Sequence, residues 1–346
     1  MKSQVRICMI GAGRVGKNHS GIINTNLPGG KIVALVDPME AIRQETAAEY
    51  GIESQFSSFE EALERSEFEA VIITTPPASH LPLSILAAEN KKNIFLEKPM
   101  GLTIAECNAI AESVEKNKVI LQLGFMRRFD PEFVHAHERI QGGEIGEPMM
   151  IKSNTHGPGL PSAKWAQDLK TSNGMLSEVN SHDWDSTRWL MGSNFERVYA
   201  EIANFKGSAY NITTENFYDN VLVNCKFESG GLGMISGICP CGYGYDARVE
   251  IIGTKGIMQI GTIEGEAVVV CTNRETGLIR PIIRTWPQRF AFGYINELRH
   301  FIECIQEEKQ PVICVDDGKW AVAGVLAGTK SFLEKRPVYL SEIFTE

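Results

Sequence analysis

Apolar, β-rich runs near residues 5–10, 31–36, 70–74, 93–97 and 119–123 alternate with stretches of helical periodicity at 14–26, 39–50, 59–65, 80–90 and 103–117. Alternation of this kind predicts βαβ units and a parallel sheet. The last of these helices opens with Thr103-Ile104-Ala105-Glu106, the spacing at which a hydroxyl and a carboxylate cap each other's backbone N–H groups. Beyond about residue 124 the texture changes. Two helical segments, 130–141 and 178–191, flank a glycine- and proline-rich loop. Strand runs at 197–204, 219–227, 231–238, 247–252 and 265–271 then follow in close succession, before helices at 294–306 and 318–332. Strands with no helix between them predict an antiparallel or mixed open sheet.

At 346 residues the chain is long enough for two domains, each with its own core. Forty-three acidic against thirty-four basic residues give a formal charge of −9, which argues against a polyanion-binding surface and so against nucleic acid as a partner. The apolar runs fall short of the roughly 18 residues of a membrane span. The first strand begins almost at once, so neither a signal peptide nor a membrane partner is expected, and the expected location is cytoplasmic. The eight cysteines are scattered, as reduced, core-filling thiols would be. Cys239-Pro240-Cys241 is the one close pair, and without a second Cys/His pair at zinc spacing no metal is expected.

The candidate chemistry starts in the loop after the first strand. Gly11, Gly13 and Gly16 lie between a strand and a helix, where glycines permit a tight turn, close approach to a pyrophosphate and tight helix packing. Asp37 ends the second apolar run twenty-one residues after Gly16, near the spacing at which a carboxylate binds ribose hydroxyls. Its charge would repel a 2′-phosphate, so the expected cofactor is NAD rather than NADP. Thr74-Thr75-Pro76-Pro77 breaks the chain after the run at 70–74, where the nicotinamide half should lie, and His80 follows at a helix start. Glu97-Lys98-Pro99 closes the next apolar run. Alone it reads equally as a solvated tripeptide before a turn, but in an open α/β sheet the carboxyl ends of the strands face the ligand crevice, where a cation is useful. The cofactor-binding candidates are therefore Gly11, Gly13, Arg14, Val15, Gly16, Asp37, Thr75, Pro76, His80, Glu97 and Lys98. The expected fold class is α/β: an N-terminal Rossmann dinucleotide-binding domain over residues 1–123, and over 124–346 an α+β domain for substrate binding and oligomerisation with a large, open, mostly antiparallel sheet.

With these motifs in order, the chain resembles the Gfo/Idh/MocA oxidoreductases. The resemblance extends to Gly124-Phe125-Met126-Arg127-Arg128-Phe129-Asp130 and to Gly174-Met175-Leu176-Ser177-Glu178-Val179-Asn180-Ser181-His182-Asp183-Trp184-Asp185, followed by Arg188-Trp189-Leu190 and Gly192. It implies that Lys98 and His182 are catalytic and meet at the nicotinamide, and that the protein forms a homodimer or homotetramer. One departure is Glu178, where the family usually carries aspartate. On a continuous helix residues four apart share a face, so Glu178 would orient the His182 imidazole. Contact with substrate hydroxyls and simple helix capping stay open as alternatives for Glu178.

Oxidising a secondary alcohol needs a base for the hydroxyl proton and a donor or cation for the developing alkoxide. His182 suits the first role and Lys98 the second. Candidate substrate contacts are Arg127, His156, Trp165, Asp168 and Asn180, mostly in irregular segments where binding residues concentrate. Tyr243 and Tyr245 are read either as an intersubunit surface or as a pocket lid. By resemblance the expected substrate is a sugar, a glycoside oxidised at C3, or an inositol. Two other readings stand beside this one: an NAD-dependent, redox-neutral glycoside hydrolase, and a non-catalytic NAD-binding sensor.

Overall fold

The structure, a computed structural model, describes residues 4–159, 164–265, 270–271, 278–279 and 281–345. It divides into two compact units, one formed by residues up to Asp130 with Phe292–Lys319, the other by Pro131–Ala291 with the residues from Trp320 onward.

In the first 130 residues the strands are β1 (Val5–Ile10), β2 (Gly30–Val36), β3 (Ser54–Phe56), β4 (Ala70–Ile73), β5 (Asn93–Leu96) and β6 (Leu121–Leu123). Between them run helices α1 (Arg14–Asn26), α2 (Glu40–Tyr50), α3 (Phe59–Arg65), α4 (His80–Glu89) and α5 (Ile104–Asn117). All strand pairs are parallel, in the order β3-β2-β1-β4-β5-β6. The order reverses direction between β1 and β4, and in open α/β sheets such a reversal leaves a crevice at the carboxyl ends of the strands. The expected cap is present on α5, where Thr103 Oγ1 accepts from the Glu106 N–H at 3.1 Å. Ser58 caps α3 in the same way, accepting from the Glu61 N–H at 3.3 Å.

The next segment holds α6 (Pro131–Gln141), β7 (Pro148–His156), the short helices α7 (Lys164–Gln167), α8 (Leu169–Ser172) and α9 (Gly174–Glu178), and α10 (Ser181–Met191). Strands β8 (Phe195–Ala203), β9 (Asn220–Phe227), β10 (Leu232–Ile238), β11 (Asp246–Gly253), β12 (Ile257–Ile260), β13 (Val270–Cys271) and β14 (Leu278–Ile279) follow, then α11 (Trp286–Arg289). The chain ends with α12 (Ala291–Glu307), α13 (Val315–Glu334), β15 (Val338–Tyr339) and α14 (Leu340–Phe344). Seven strands form the second sheet, in the order β12-β11-β7-β10-β9-β8-β15. Every pair is antiparallel except β7 with β10. Most of the strand expected at 265–271, residues 266–269, lies outside the described residues.

Three features depart from the sequence reading. The strand β7 was expected as loop, yet it lies inside the second sheet, paired on both edges. The helix expected over 178–191 is broken, because Val179 and Asn180 separate α9 from α10 and the Asn180 N–H reaches back to Met175 O at 3.1 Å. Further, the single division expected after residue 123 leaves out a return of the chain. The α12 side chains Leu298, Phe301 and Ile302 are buried with Val5, Ile7, Ile72 and Phe95 in the core of the first unit.

Candidate active site

In the first unit, α1 begins directly on the glycine loop. Gly11 has φ +99°, and a Cβ there would lie 2.9 Å from Thr74 Oγ1. A Cβ on Gly16 would lie 2.0 Å from Gly11 O, so helix and loop pack backbone to backbone. Gly13 has nothing within 4 Å of its would-be Cβ and is exposed, which leaves the open approach a pyrophosphate requires. Gly16→Ala is therefore expected to push α1 off the loop and weaken NAD binding about tenfold or more, as overpacking of this size does. A calorimetric titration with NAD checks it.

Asp37 sits at the end of β2, half-buried. Its Oδ2 accepts from the Ala12 N–H and its Oδ1 from the Met39 N–H, both at 2.8 Å. An ionised carboxylate offers about four acceptor sites, so two remain for ribose hydroxyls. Arg14 is exposed at the first position of α1, Val15 is half-buried beside it, and Pro76 is exposed after β4. The Thr75 hydroxyl accepts from Ser79 Oγ at 2.8 Å.

Two of the expected cofactor contacts are turned inward. His80 is wholly buried, with Nδ1 2.7 Å from Pro99 O and Nε2 3.0 Å from Thr75 O. Burial lowers its pKa against the opposing pull of these carbonyls. The ring thus ties the turn after β4 to the turn after β5 and leaves no nitrogen for a ligand. Glu97 is buried as well, with Oε1 2.8 Å from His19 Nε2 and Oε2 accepting from the Lys98 N–H at 3.1 Å. A Cβ on Gly124 would meet its carboxyl carbon at 3.0 Å, which accounts for glycine there. The two inward side chains brace the segment that carries Lys98, which is half-buried just past β5. Arg127, in a short 3-10 turn over Met126–Phe129, is fully buried in this unit.

In the second unit, His182 is the second residue of α10 and 8% exposed, while Glu178 is the last residue of α9 and half-buried. Glu178 and His182 therefore stand on two successive helices rather than on one continuous helix. Asp183, which the sequence reading did not single out, anchors α10. It accepts from Ser153 Oγ at 2.5 Å, Thr155 Oγ1 at 2.7 Å and Asn180 Nδ2 at 2.8 Å. Asn180, expected to bind substrate, is fully buried and also donates to Ser236 O at 3.1 Å. A Cβ on Gly237 would lie 2.1 Å from its Oδ1, so its part is to fix α10 on the sheet.

His156 belongs to a network that sequence spacing did not reveal. Its Nδ1 lies 2.6 Å from the Tyr243 hydroxyl and its Nε2 3.1 Å from Ser236 Oγ. Tyr243 donates to Asp246 at 3.1 Å, and Arg248 forks onto the same carboxylate at 2.7 and 2.8 Å. Burial is the largest influence on His156 and lowers its pKa. Tyr243 thus links His156 to Asp246, and pairing of β7 with β11 sets Asp246 opposite His156. Asp168 accepts from the Lys170 N–H at 2.8 Å and caps α8, while Trp165 is exposed in α7.

Comparison with known proteins is consistent with both halves. Residues 5–125 match the oxidoreductase family's NAD-binding Rossmann fold, and residues 137–340 match the same family's C-terminal alpha/beta domain. The chain is 36% identical over 344 residues to the scyllo-inositol 2-dehydrogenase (NAD(+)) of Bacillus subtilis, covering 98% of this chain and 97% of that protein. It is 30% identical over 342 residues to the myo-inositol 2-dehydrogenase of Thermotoga maritima, covering 98% and 99%. The crystal structure of Lactobacillus casei scyllo-inositol dehydrogenase with bound NAD(H) and scyllo-inositol superposes with a TM-score of 0.90 at 27% identity, covering 98% of this chain and 100% of that one.

Proposed function

This chain belongs to the Gfo/Idh/MocA oxidoreductase family, and we propose that it oxidises a secondary ring hydroxyl of a cyclic polyol, an inositol first, to the ketone. The observation that carries this reading is Lys98, placed just past the carboxyl end of β5 in an NAD-binding sheet and braced from behind by Glu97 and His80. The names of the relatives favour inositols over sugars and glycosides, while C3 oxidation of glucosides is the same chemistry on a related ring.

NAD supplies the hydride acceptor when bound. Gly11, Gly13 and Gly16 form the loop that would hold it, with Asp37 on the ribose hydroxyls and Thr75 and Pro76 at the turn after β4. We assign His182 to accept the hydroxyl proton and Lys98 to hold the substrate oxygen as charge develops on it. Glu178 would support the imidazole, and Arg127, Trp165 and Asp168 remain the candidates for the surroundings of the substrate, while His156, next to Thr155 in β7, faces the other side of the second sheet from α10. Self-association as a homodimer or homotetramer is part of the same reading. Leu222 and Leu232, 44% and 50% exposed, lie on the face of the second sheet that this unit leaves uncovered. Sedimentation of the purified protein tests it, and a monomer would refute it.

Asp37→Ala is expected to lower kcat/KM for NAD by about ten- to a hundredfold, the value of a hydrogen bond to a charged group, and to lower it far less for NADP. Steady-state kinetics with both cofactors measure the ratio. The central experiment incubates the protein with NAD and a panel of inositols, glucose, O-glucosides and C-glucosides, following NADH and keto-product mass together. A keto product from an inositol is the expected result. Release of an aglycone without lasting NADH would establish the redox-neutral hydrolase instead, and no product from any polyol would favour the sensor.

A further inference from the structure

A second carboxylate shares the pocket that braces Lys98. Glu297, on α12, is 0% exposed, and neither carboxyl oxygen has a hydrogen-bond partner among the described residues. The ligand atoms of Glu297, Glu97 and His19 all lie within 4.8 Å of one another. Around them are Phe95 and Tyr294, whose rings sit 5.5 and 5.8 Å from the His19 imidazole, and Gln122, whose amide donates to the Glu297 backbone oxygen at 2.8 Å rather than to its carboxyl. Among the described residues the ionisable groups facing Glu297 are thus Glu97 beyond β5 and His19 from α1, with Tyr294 of its own helix against the His19 ring.

The hydrogen bonds fix how many protons this pocket holds. Glu97 is the acid whose charge is supported by hydrogen bonds, since it accepts from His19 and from the Lys98 N–H. His19 Nδ1 has no partner among the described residues, so an imidazolium would bury a charged N–H with no acceptor, which costs more than the neutral O–H that a protonated Glu297 buries. A neutral ring with its proton on Nε2 satisfies Glu97 and leaves only a bare lone pair on Nδ1. The His19 ring then carries no charge to offset a second carboxylate, and two ionised carboxylates in one dry site repel strongly. We propose that Glu297 is a protonated, neutral carboxylic acid, a positioning residue that keeps the pocket behind Lys98 at the single negative charge carried by Glu97. Burial and then the Glu97 charge raise the Glu297 pKa well above the usual carboxylate range, in keeping with this assignment. Ionising Glu297 would push the Glu97 carboxylate off the Lys98 N–H, so the device acts on Lys98 whatever the polyol.

The sign of the pH effect follows. A folded-state pKa raised above the unfolded value gives stability that is complete below about pH 4 and is lost as pH rises toward the folded value. The test compares the full-length protein, with NAD present, to E297Q. As pH rises above about 5, the folding equilibrium constant of the parent should fall relative to the variant, by up to tenfold per pH unit. The parent should also show at pH 7 the infrared carbonyl stretch of a protonated carboxyl, absent from E297Q. A pH-independent difference between the two proteins would overturn the proposal, as would a stoichiometric divalent metal found in the purified parent, which would make the trio a ligand set. Should E297Q not fold, Glu297→Leu, apolar and of similar volume, serves both comparisons. A parent without the protonated-carboxyl band overturns the proposal whatever the variants do.

Discussion

His182→Ala is expected to lower turnover by about 10²- to 10⁴-fold with NAD affinity nearly unchanged, the range for loss of a general base. Lys98→Ala should cost about 10²- to 10³-fold, as removal of one donor to a developing oxyanion does. If both groups serve one proton-and-hydride step, the double variant loses much less than the product of the two single effects. Lys98→Arg is no conservative rescue, because a planar fork on a longer stem cannot reproduce a point charge at the same place. Steady-state kinetics with the best polyol, together with calorimetric NAD titration, decide the matter. Retained turnover in either single variant would remove that residue from the mechanism. A parallel loss of NAD affinity would make it a cofactor contact instead.

The first unit was readable because its signals are local. Each buried parallel strand is a short, nearly continuous apolar run, as Ala70–Ile73 shows with all four residues buried, and the glycines and Thr103 mark element boundaries by geometry alone. The second unit was less readable at its most important place. In β7 the inward positions are Ile151, Ser153 and Thr155, so the apolar alternation that marks a strand is missing just where two hydroxyls bind Asp183. A buried polar network erased the pattern that would have announced the strand. The break before α10 was hidden for a related reason: Asn180 reads as an ordinary helical residue, and its side-chain bonds to Asp183 and Ser236 tie it to partners that spacing does not show. Residue type found Glu97 and His80, but not their direction. Both were read as facing a ligand, whereas their partners, His19 and the carbonyls of Pro99 and Thr75, lie inside the unit, and His19 comes from a distant part of the chain.

Asp183→Ala is expected to destabilise the protein by about 3 to 5 kcal/mol, because it removes the acceptor shared by three buried donors. Ser153, Thr155 and Asn180 are at most 2% exposed, so water cannot easily replace the lost carboxylate. Charge-assisted bonds to an ionised acceptor are also the stronger kind. Asp183→Asn should cost less, since an amide keeps one acceptor oxygen while turning an N–H toward one of the hydroxyls. Thermal unfolding should show the alanine variant melting roughly 5–15 °C lower. His182 precedes Asp183 by one residue yet is expected to behave oppositely, since His182→Ala should keep its melting temperature and lose turnover. Activity lost in Asp183→Ala should therefore accompany lost stability and return in part at low temperature, where the helix stays seated. If Asp183→Ala kept its stability and lost turnover alone, the anchor assigned here would be wrong, and Asp183 would belong with His182 in the chemistry.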